Sequence, residues 1–321
     1  VAALEPSEPA VRMRGVGRQF GSRWILRDFA LEVPAGQTLA LIGPSGSGKT
    51  TVLRLINRLL ECSEGSIHVF GRDVREGDPA ELRRGIGYVI QEIGTFPHYT
   101  VEKNVGVVPA LLGWSRERIR ARTHELLELV GLPASEFANR FPHQLSGGQR
   151  QRVGFARALA ADPPLVLLDE PFAALDLVTR EGLQREFGRL ARALHKTFLV
   201  VTHDIFEAVR IAERIVVLDA GRIVRDASPR DLVRHPASPV VEALLGAHRY
   251  QLGLMTVSLD EAALDTAPAP AARDAALELP GSVSVWEALS QLSSSGARAV
   301  RVTGAAGARV LSREQLLRGA D

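Results

Sequence analysis

Gly43-Pro44-Ser45-Gly46-Ser47-Gly48-Lys49-Thr50 decides the reading of this chain. The stretch follows Gln37–Ile42, an apolar run that reads as a buried strand. It opens Thr50–Leu60, where Val52, Leu53, Ile56, Leu59 and Leu60 recur at helical spacing. Strand, glycine-rich turn and helix in that order are the context in which GxxxxGK[ST] binds phosphate. Glycines let successive backbone N–H groups converge on phosphate oxygens, and the helix N-terminus adds positive potential. The pattern assigns Gly43 to Thr50, with the adjoining Thr51, to the binding of phosphate groups. Lys49 would reach the β- and γ-phosphates and the Thr50 hydroxyl would ligate Mg2+.

Outward from this loop, Val11–Val16 and Ile25–Val33 read as strands on the N-terminal side. On the C-terminal side Leu165–Leu168 and Thr197–Val201 are short apolar runs, each preceded by a helical stretch. Ile215–Leu218 and Arg222–Val224 flank Asp219-Ala220-Gly221, a hairpin signal. Such alternation predicts an α/β fold with a largely parallel sheet covered by helices. Between its halves Val101–Ala160 is helical in pattern. Arg116–Val130 puts Ile119, Leu126, Leu127 and Val130 on one face, and Gly131-Leu132-Pro133 stops it. After Gly246 the character changes: Asp265–Pro280 is Ala/Pro-rich and reads as a linker. Beyond it come a helix at Val285–Leu292, strands at Ala297–Val302 and Ala308–Leu311 around a Gly304–Gly307 turn, and a capping box from Ser312 to Gln315.

Two further stretches carry chemistry. Leu165-Val166-Leu167-Leu168-Asp169-Glu170 is a doubly buried strand projecting carboxylates from its C-terminal end, where ligands bind in open α/β sheets. Asp169 would hold Mg2+ through water and Glu170 would polarise an attacking water. In Leu145-Ser146-Gly147-Gly148-Gln149, Ser146 caps a helix running to Ala161, and paired glycines let its tip approach an anion. An ordinary Ser-capped start is the plainer reading. As a second phosphate-binding tip it lies too far from the first to serve the same nucleotide within one compact chain, so two chains would have to meet.

The 321 residues are 45% apolar and 24% charged, ordinary for a folded protein. With 39 basic against 37 acidic residues there is no dominant basic field, which argues against a nucleic-acid partner. Charges or Pro interrupt every apolar run short of the roughly 20 residues of a spanning helix. Val1–Ala10 carries Glu5 and Glu8 rather than a basic and then apolar leader, and Cys62 is alone, so a cytoplasmic protein is expected. Of the lysines Lys49, Lys103 and Lys196, only the first has a chemical assignment.

Taken in order, the phosphate loop, Gln91, Leu145–Gln149, Asp169-Glu170, Ala174-Leu175-Asp176 and His203 resemble the ATP-binding-cassette (ABC) ATPases over about residues 10–246. The resemblance implies a phosphate-loop core with an antiparallel β subdomain and a helical subdomain at about 92–160. It also implies a head-to-tail dimer, with ATP held between one copy's loop and the other's Ser146-Gly147-Gly148. Phe20 matches the position whose ring stacks on adenine, a core Phe at a strand end being the alternative. Gln91 would bond Mg2+ and a water, unless it is a plain surface Gln. His203 would contact the γ-phosphate and hold Glu170, against a merely structural His. Asp176 would link the two sites, a helix N-cap being a compatible alternative.

Within the family, Gly87–Val101, Leu55-Ile56-Asn57-Arg58-Leu59 and Pro171–Asp176 look like the ATPase subunits of quaternary-amine importers. The implied role is ATP-driven uptake of glycine betaine, choline, carnitine or proline betaine. It would act through a separate membrane permease and, indirectly, a solute-binding protein, at the inner membrane face. An importer of amino acids or other small solutes, or a regulatory module that binds ATP without hydrolysing it, are the alternatives. The apolar Phe96–Tyr99 patch would line a groove for a permease helix, or else be buried in the helical subdomain. After a connecting segment at 247–280, residues 281–321 resemble a single cystathionine-β-synthase-type (CBS) regulatory motif. Its second strand leads into Ser312-Arg313-Glu314-Gln315, which lacks the Ser/Thr-x-x-Asp that holds a ribose. Such a half-module leaves one apolar face to be covered by its twin or by residues 250–262.

Overall fold

The computed structural model describes residues 8–91, 94–173, 175–264, 276–303 and 309–318. The chain divides into two compact units, Val1–Asp226 and Ala227–Asp321. The first therefore closes ahead of Gly246, where the composition changes. The reason lies in two short helices, Pro229–Arg234 and Pro239–Leu245, which bury Leu232, Val233, Val241 and Leu245. Arg249 donates to the carbonyls of Val233 (2.9 Å) and Arg234 (2.6 Å), tying the first of them to the next helix, Arg249–Thr256.

Unit one contains β1 (Val11–Phe20), β2 (Arg23–Val33), β3 (Thr38–Ile42), β4 (Glu64–Val69), β5 (Arg72–Asp73), β6 (Ile86–Val89), β7 (Leu165–Asp169), β8 (Thr197–Val201), β9 (Arg214–Asp219) and β10 (Arg222–Ala227). The antiparallel strands form one sheet in the order β2-β1-β4-β5. A second, six-stranded sheet has the order β10-β9-β3-β8-β7-β6, and β6, β7, β8, β3 and β9 run parallel. β3, β7 and β8 are buried from end to end, as strands covered on both faces must be. The β9–β10 turn has positive φ at Ala220 and Gly221, the signature of a two-residue hairpin.

The helix after β3 is Lys49–Ile56, shorter than the pattern to Leu60 predicts. Arg58 turns left-handed at φ 47°, which ends the helix and leaves Leu59 exposed. Val52, Leu53 and Ile56 join Leu39, Leu41, Leu167 and Leu199 in one core with Met13, Phe29 and Leu31 of the antiparallel sheet. The loop's helix is thus clamped between two sheets. The helical insertion comprises Val101–Val105, Val107–Leu111, Arg116–Leu129, Ala134–Phe137 and Gly147–Leu159. Thr100, Ser115 and Ser146 cap three of these, accepting from the N–H groups of Lys103, Arg118 and Gln149.

In unit two, β11 (Ala276–Pro280), β12 (Ala299–Thr303) and β13 (Arg309–Ser312) form a three-stranded sheet. β11 and β12 are parallel and joined through the helix Val285–Ser295, and β13 returns antiparallel into Arg313–Arg318. The linker expectation for Asp265–Pro280 fails at its end. Ala276–Pro280 is a strand, registered residue by residue against Ala299–Thr303, with Arg301 paired to Glu278 at 3.0 Å. The remainder of that stretch, 265–275, and the whole of the predicted Gly304–Gly307 turn lie outside the described residues. The capping box forms, with Ser312 N–H donating to Gln315 Oε1 (2.8 Å) and Gln315 N–H to Ser312 Oγ (3.3 Å). Of the two covers expected for the apolar face, the same chain supplies one: Leu254, Val257, Leu259 and Ala262 pack with Leu279, Val285, Val300, Val302 and Leu311.

Candidate functional site

The phosphate loop runs off the end of β3 with positive φ at Gly43 (148°), Gly46 (80°) and Gly48 (105°). Gly43 is doubly obligatory, because a Cβ there would lie 2.0 Å from the Leu218 carbonyl oxygen. Lys49 is buried, and its ammonium donates to the carbonyls of Gly43 (2.7 Å) and Pro44 (2.8 Å), curling back over its own loop. Burial pulls its pKa down, while the carboxylates of Glu170 and Asp169 oppose that. The Ser47 hydroxyl is buried with no hydrogen-bond partner among the described residues, an orphaned donor inside the cradle. Thr51, in the first turn of the same helix, is half-buried.

β7 carries Asp169 to this loop. Thr50 Oγ1 donates to Asp169 Oδ1 at 2.9 Å. Burial raises the Asp169 pKa, with the Thr50 bond, Arg54 and Lys49 acting against it and Glu170 adding to it. A hydroxyl and a carboxylate at this spacing are hard oxygen donors suited to Mg2+. Among the described residues no cluster of three His, Cys, Asp or Glu is found. Glu170 follows in a left-handed conformation (φ 47°), a cost that its backbone bond to the Val201 carbonyl (2.9 Å) helps to hold. Gln91 Nε2 donates to Glu170 Oε2 at 3.2 Å, and His203 Nδ1 lies 3.4 Å from Glu170 Oε1. Lys49, Thr50, Asp169, Glu170, Gln91 and His203 therefore form one connected constellation, assembled from the ends of β3, β6, β7 and β8. Gln91, expected beside the metal, here faces Glu170.

The other predicted residues lie apart from that constellation. Phe20 ends β1 with 45% of its surface exposed, so it is not a core residue. The Arg18 guanidinium sits 4.3 Å from its ring centroid. Ser146 is exposed at the start of the helix Gly147–Leu159, in a reciprocal capping box with Gln149, while Leu145 is buried beneath it. Its two glycines divide the work. A Cβ at Gly147 meets nothing within 4 Å, leaving the tip open, whereas one at Gly148 would lie 2.8 Å from Thr179 Cγ2. Asp176 caps the helix Leu177–Leu194 through Thr179 N–H at 3.1 Å. Phe96 and Tyr99 are exposed, and the buried Asn104 fixes their turn through the Phe96 and Tyr99 carbonyls, which overturns burial as their reading. Arg54, whose charge acts on Asp169, escaped sequence reasoning because ordinary helix periodicity absorbs it.

Fold and loop together define a nucleotide-binding cassette of the phosphate-loop class. The ABC transporter profile matches residues 26–173. The glycine betaine uptake system ATP-binding protein YehX of Escherichia coli (strain K12) is 48% identical over 244 residues, covering 76% of this chain and 78% of that protein. The glycine betaine/carnitine/choline transport ATP-binding protein OpuCA of Bacillus subtilis (strain 168) is 50% identical over 229 residues, covering 71% of this chain. The chain spans 60% of the length of OpuCA. Among solved structures, the dimeric post-hydrolysis state of the ATP-binding cassette MJ0796 bound to ADP and Pi aligns with a TM-score of 0.61 at 36% identity. The alignment covers 68% of this chain and 98% of that one. The chain belongs to the ABC transporter family. Among its described residues, no helix is long and apolar enough to cross a membrane.

Proposed function

We propose that this chain is the ATP-hydrolysing subunit of an importer that takes up glycine betaine or a related quaternary amine through a separate membrane permease. The observation that carries hydrolysis is the bridging of Glu170 by Gln91 and His203, beside a Thr50–Asp169 pair. A module that only binds ATP has no need of a carboxylate held at two points next to the phosphate loop. Lys49 would exchange its two loop carbonyls for the β- and γ-phosphate oxygens, keeping its hydrogen bonds while neutralising charge. Glu170 would orient the attacking water, with Gln91 and His203 fixing its rotamer. Mg2+ bound by Thr50 and Asp169 would neutralise charge on the triphosphate. Phe20 would stack on adenine, and the exposed Ser146 tip of a second copy would complete the site, with Asp176 near the junction.

The names of YehX and OpuCA support a quaternary-amine solute. The exposed Phe96–Tyr99 turn offers the permease an apolar contact, which would place the chain at the inner membrane face. Phosphate release by the purified chain, alone and with its permease in liposomes, tests the proposal. Glu170→Gln should lower turnover by about 10²–10⁴, the range for a lost general base, and should accumulate an ATP-stabilised dimer visible by light scattering. Full turnover in that variant would remove Glu170 from the chemistry.

A further inference from the structure

Asn104 is polar yet wholly buried, and the chemistry above does not use it. It belongs to the helix Val101–Val105, where Val101 and Val105 are buried as well. Its side chain commits every hydrogen-bonding group to the turn that precedes the helix. Oδ1 accepts from the Phe96 N–H at 2.7 Å, and Nδ2 donates to the carbonyls of Phe96 (3.1 Å), Tyr99 (3.1 Å) and Thr100 (3.0 Å). A primary amide of this length supplies donors and an acceptor together, whereas aspartate cannot donate and leucine can do neither. The rings of Phe96, His98 and Tyr99 lean on one another, with centroids 5.4 Å apart for Phe96 and Tyr99 and 4.6 Å apart for His98 and Tyr99. Phe96 and Tyr99 nevertheless face solvent. An aromatic turn whose rings stay outside the core is thus held from beneath by polar bonds.

The helix is fastened in its turn to a stretch distant in sequence. The first N–H groups of a helix find no partner within it. Here the Val101 N–H donates to the Arg140 carbonyl (2.8 Å) and the Glu102 N–H to the Ala138 carbonyl (2.9 Å). From Arg140 the chain passes into one tight helical turn, Pro142–Gln144. The Phe141 N–H closes that turn on Gln144 Oε1 (2.7 Å), and the Gln144 N–H returns to the Phe141 carbonyl (2.9 Å). Leu145 is buried next, with its carbonyl held by Arg150 at 2.7 Å, and Ser146 follows. Every link from the Phe96–Tyr99 turn to the Ser146 tip is a hydrogen bond or a turn closed by one.

We propose that Asn104 is a positioning residue that makes the Phe96–Tyr99 turn and the stretch leading to Ser146 move as one piece. Its purpose rests on the importer reading: a permease helix seated on the turn would thereby shift the tip that a second copy's nucleotide needs. The bonds themselves do not depend on that reading.

Native-state amide exchange on the full chain, followed residue by residue at low denaturant, tests the piece. In the wild type the N–H groups of Phe96, Val101 and Glu102 should open together, with protection within about threefold of one another. Asn104→Leu is close in volume and removes all four bonds. In it Phe96 should lose protection at least about tenfold more than Val101 and Glu102 do, the order for buried groups left unpaired. A general loss of stability would lower all three alike. Phe96 opening alone in the wild type, or falling no further than the other two in the variant, overturns the proposal. The wild-type comparison needs no variant, and the smaller Asn104→Ser takes over if Asn104→Leu does not fold. Phosphate release with the permease in liposomes is measured alongside. There the variant's kcat should fall at least about fivefold, the low end for coupling between two sites, with the KM for ATP within about twofold. An unchanged kcat in a variant whose turn has loosened overturns the proposal as well. A wild type active with its permease, but whose Phe96 opens alone, leaves the ATPase reading standing without the role of Asn104. A wild type inactive even with its permease, but with shared opening, keeps the piece and removes its purpose.

Discussion

At the scale of single residues, the site is built from groups held in states their surroundings resist. Glu170 sits at a positive φ that β-carbon-bearing residues avoid, and Asp169 keeps a carboxyl that burial pushes towards protonation. Glu207 is the extreme case. Burial is the main cause lifting its pKa to about 8, Asp204 and Glu170 reinforce that, and the Thr202 bond and Arg180 oppose it. A carboxyl whose folded pKa exceeds its unfolded value contributes stability that is complete below the unfolded pKa of 4.5. That stability declines as pH rises and is lost once pH passes about 8. Glu207→Gln cannot ionise, so it escapes the decline. Its melting temperature should exceed that of wild type by several degrees at pH 8–9, with the gap closing towards pH 4.5. Calorimetry across that range measures it, and a gap that widens on acidification would contradict the assigned burial. Lys49 tests a different point: Lys49→Met removes the two bonds to the loop carbonyls and the charge meant for phosphate. Nucleotide affinity should fall at least about tenfold by calorimetric titration, as expected for a charged hydrogen bond, while the sheet stays intact.

At the scale of elements, the ends of strands and helices matter more than their middles. Gly43 is where β3 must turn without a side chain. Gly43→Ala would drive a methyl into the Leu218 carbonyl at a φ that alanine avoids, and should cost about 3 kcal/mol or more in denaturant unfolding. Ser146→Ala, at an exposed cap, should cost only about 1 kcal/mol yet weaken ATP-driven self-association if the tip serves a second copy's nucleotide. These elements are legible in the sequence, because each announces itself locally: an apolar run for β3, β7 and β8, a glycine cluster, a capping serine. The strand Ala276–Pro280 was not, since five residues abutting an Ala/Pro-rich run resemble more linker until β12 is there to pair with them. The early stop of Lys49–Ile56 was also hidden, because Leu59 and Leu60 extend the helical period past the left-handed turn at Arg58. Phe20 and the Phe96–Tyr99 turn divided the same way. Their aromatic character was plain, but whether an aromatic is core or surface is decided by which strands and helices arrive around it. Glu207 shows the limit most clearly, since its Asp-x-x-Glu spacing fits a surface capping box and only β8 and the Leu177–Leu194 helix turn it into an interior acid.

At the scale of the whole molecule, two cores that do not share residues lead to a prediction about what each can lose. The phosphate-loop core draws on residues from Val11 to Leu218, and the second core draws on Leu254 to Leu316. A cut placed by composition, after Gly246, strands the helices Pro229–Arg234 and Pro239–Leu245 on the wrong side. It severs the Arg249 bonds to Val233 and Arg234 and leaves Leu232, Val233, Val241 and Leu245 without the helix that follows. A cut after Ala227 keeps β10 whole and exposes none of those residues. The 1–227 chain should therefore bind nucleotide with a Kd within about twofold of the full chain and unfold in one sharp transition. The 1–246 chain should carry exposed apolar surface, read as increased binding of a hydrophobic dye and concentration-dependent scattering. The C-terminal sheet is already covered by Leu254, Val257, Leu259 and Ala262 of its own chain, so pairing with a twin is not required to bury it. Without nucleotide, the full chain and the 1–227 chain should then show the same self-association by light scattering. A full chain that dimerises without ATP, while 1–227 stays monomeric, would mean that the covered sheet still offers a second copy a surface, and that the two units cooperate in assembly rather than folding side by side.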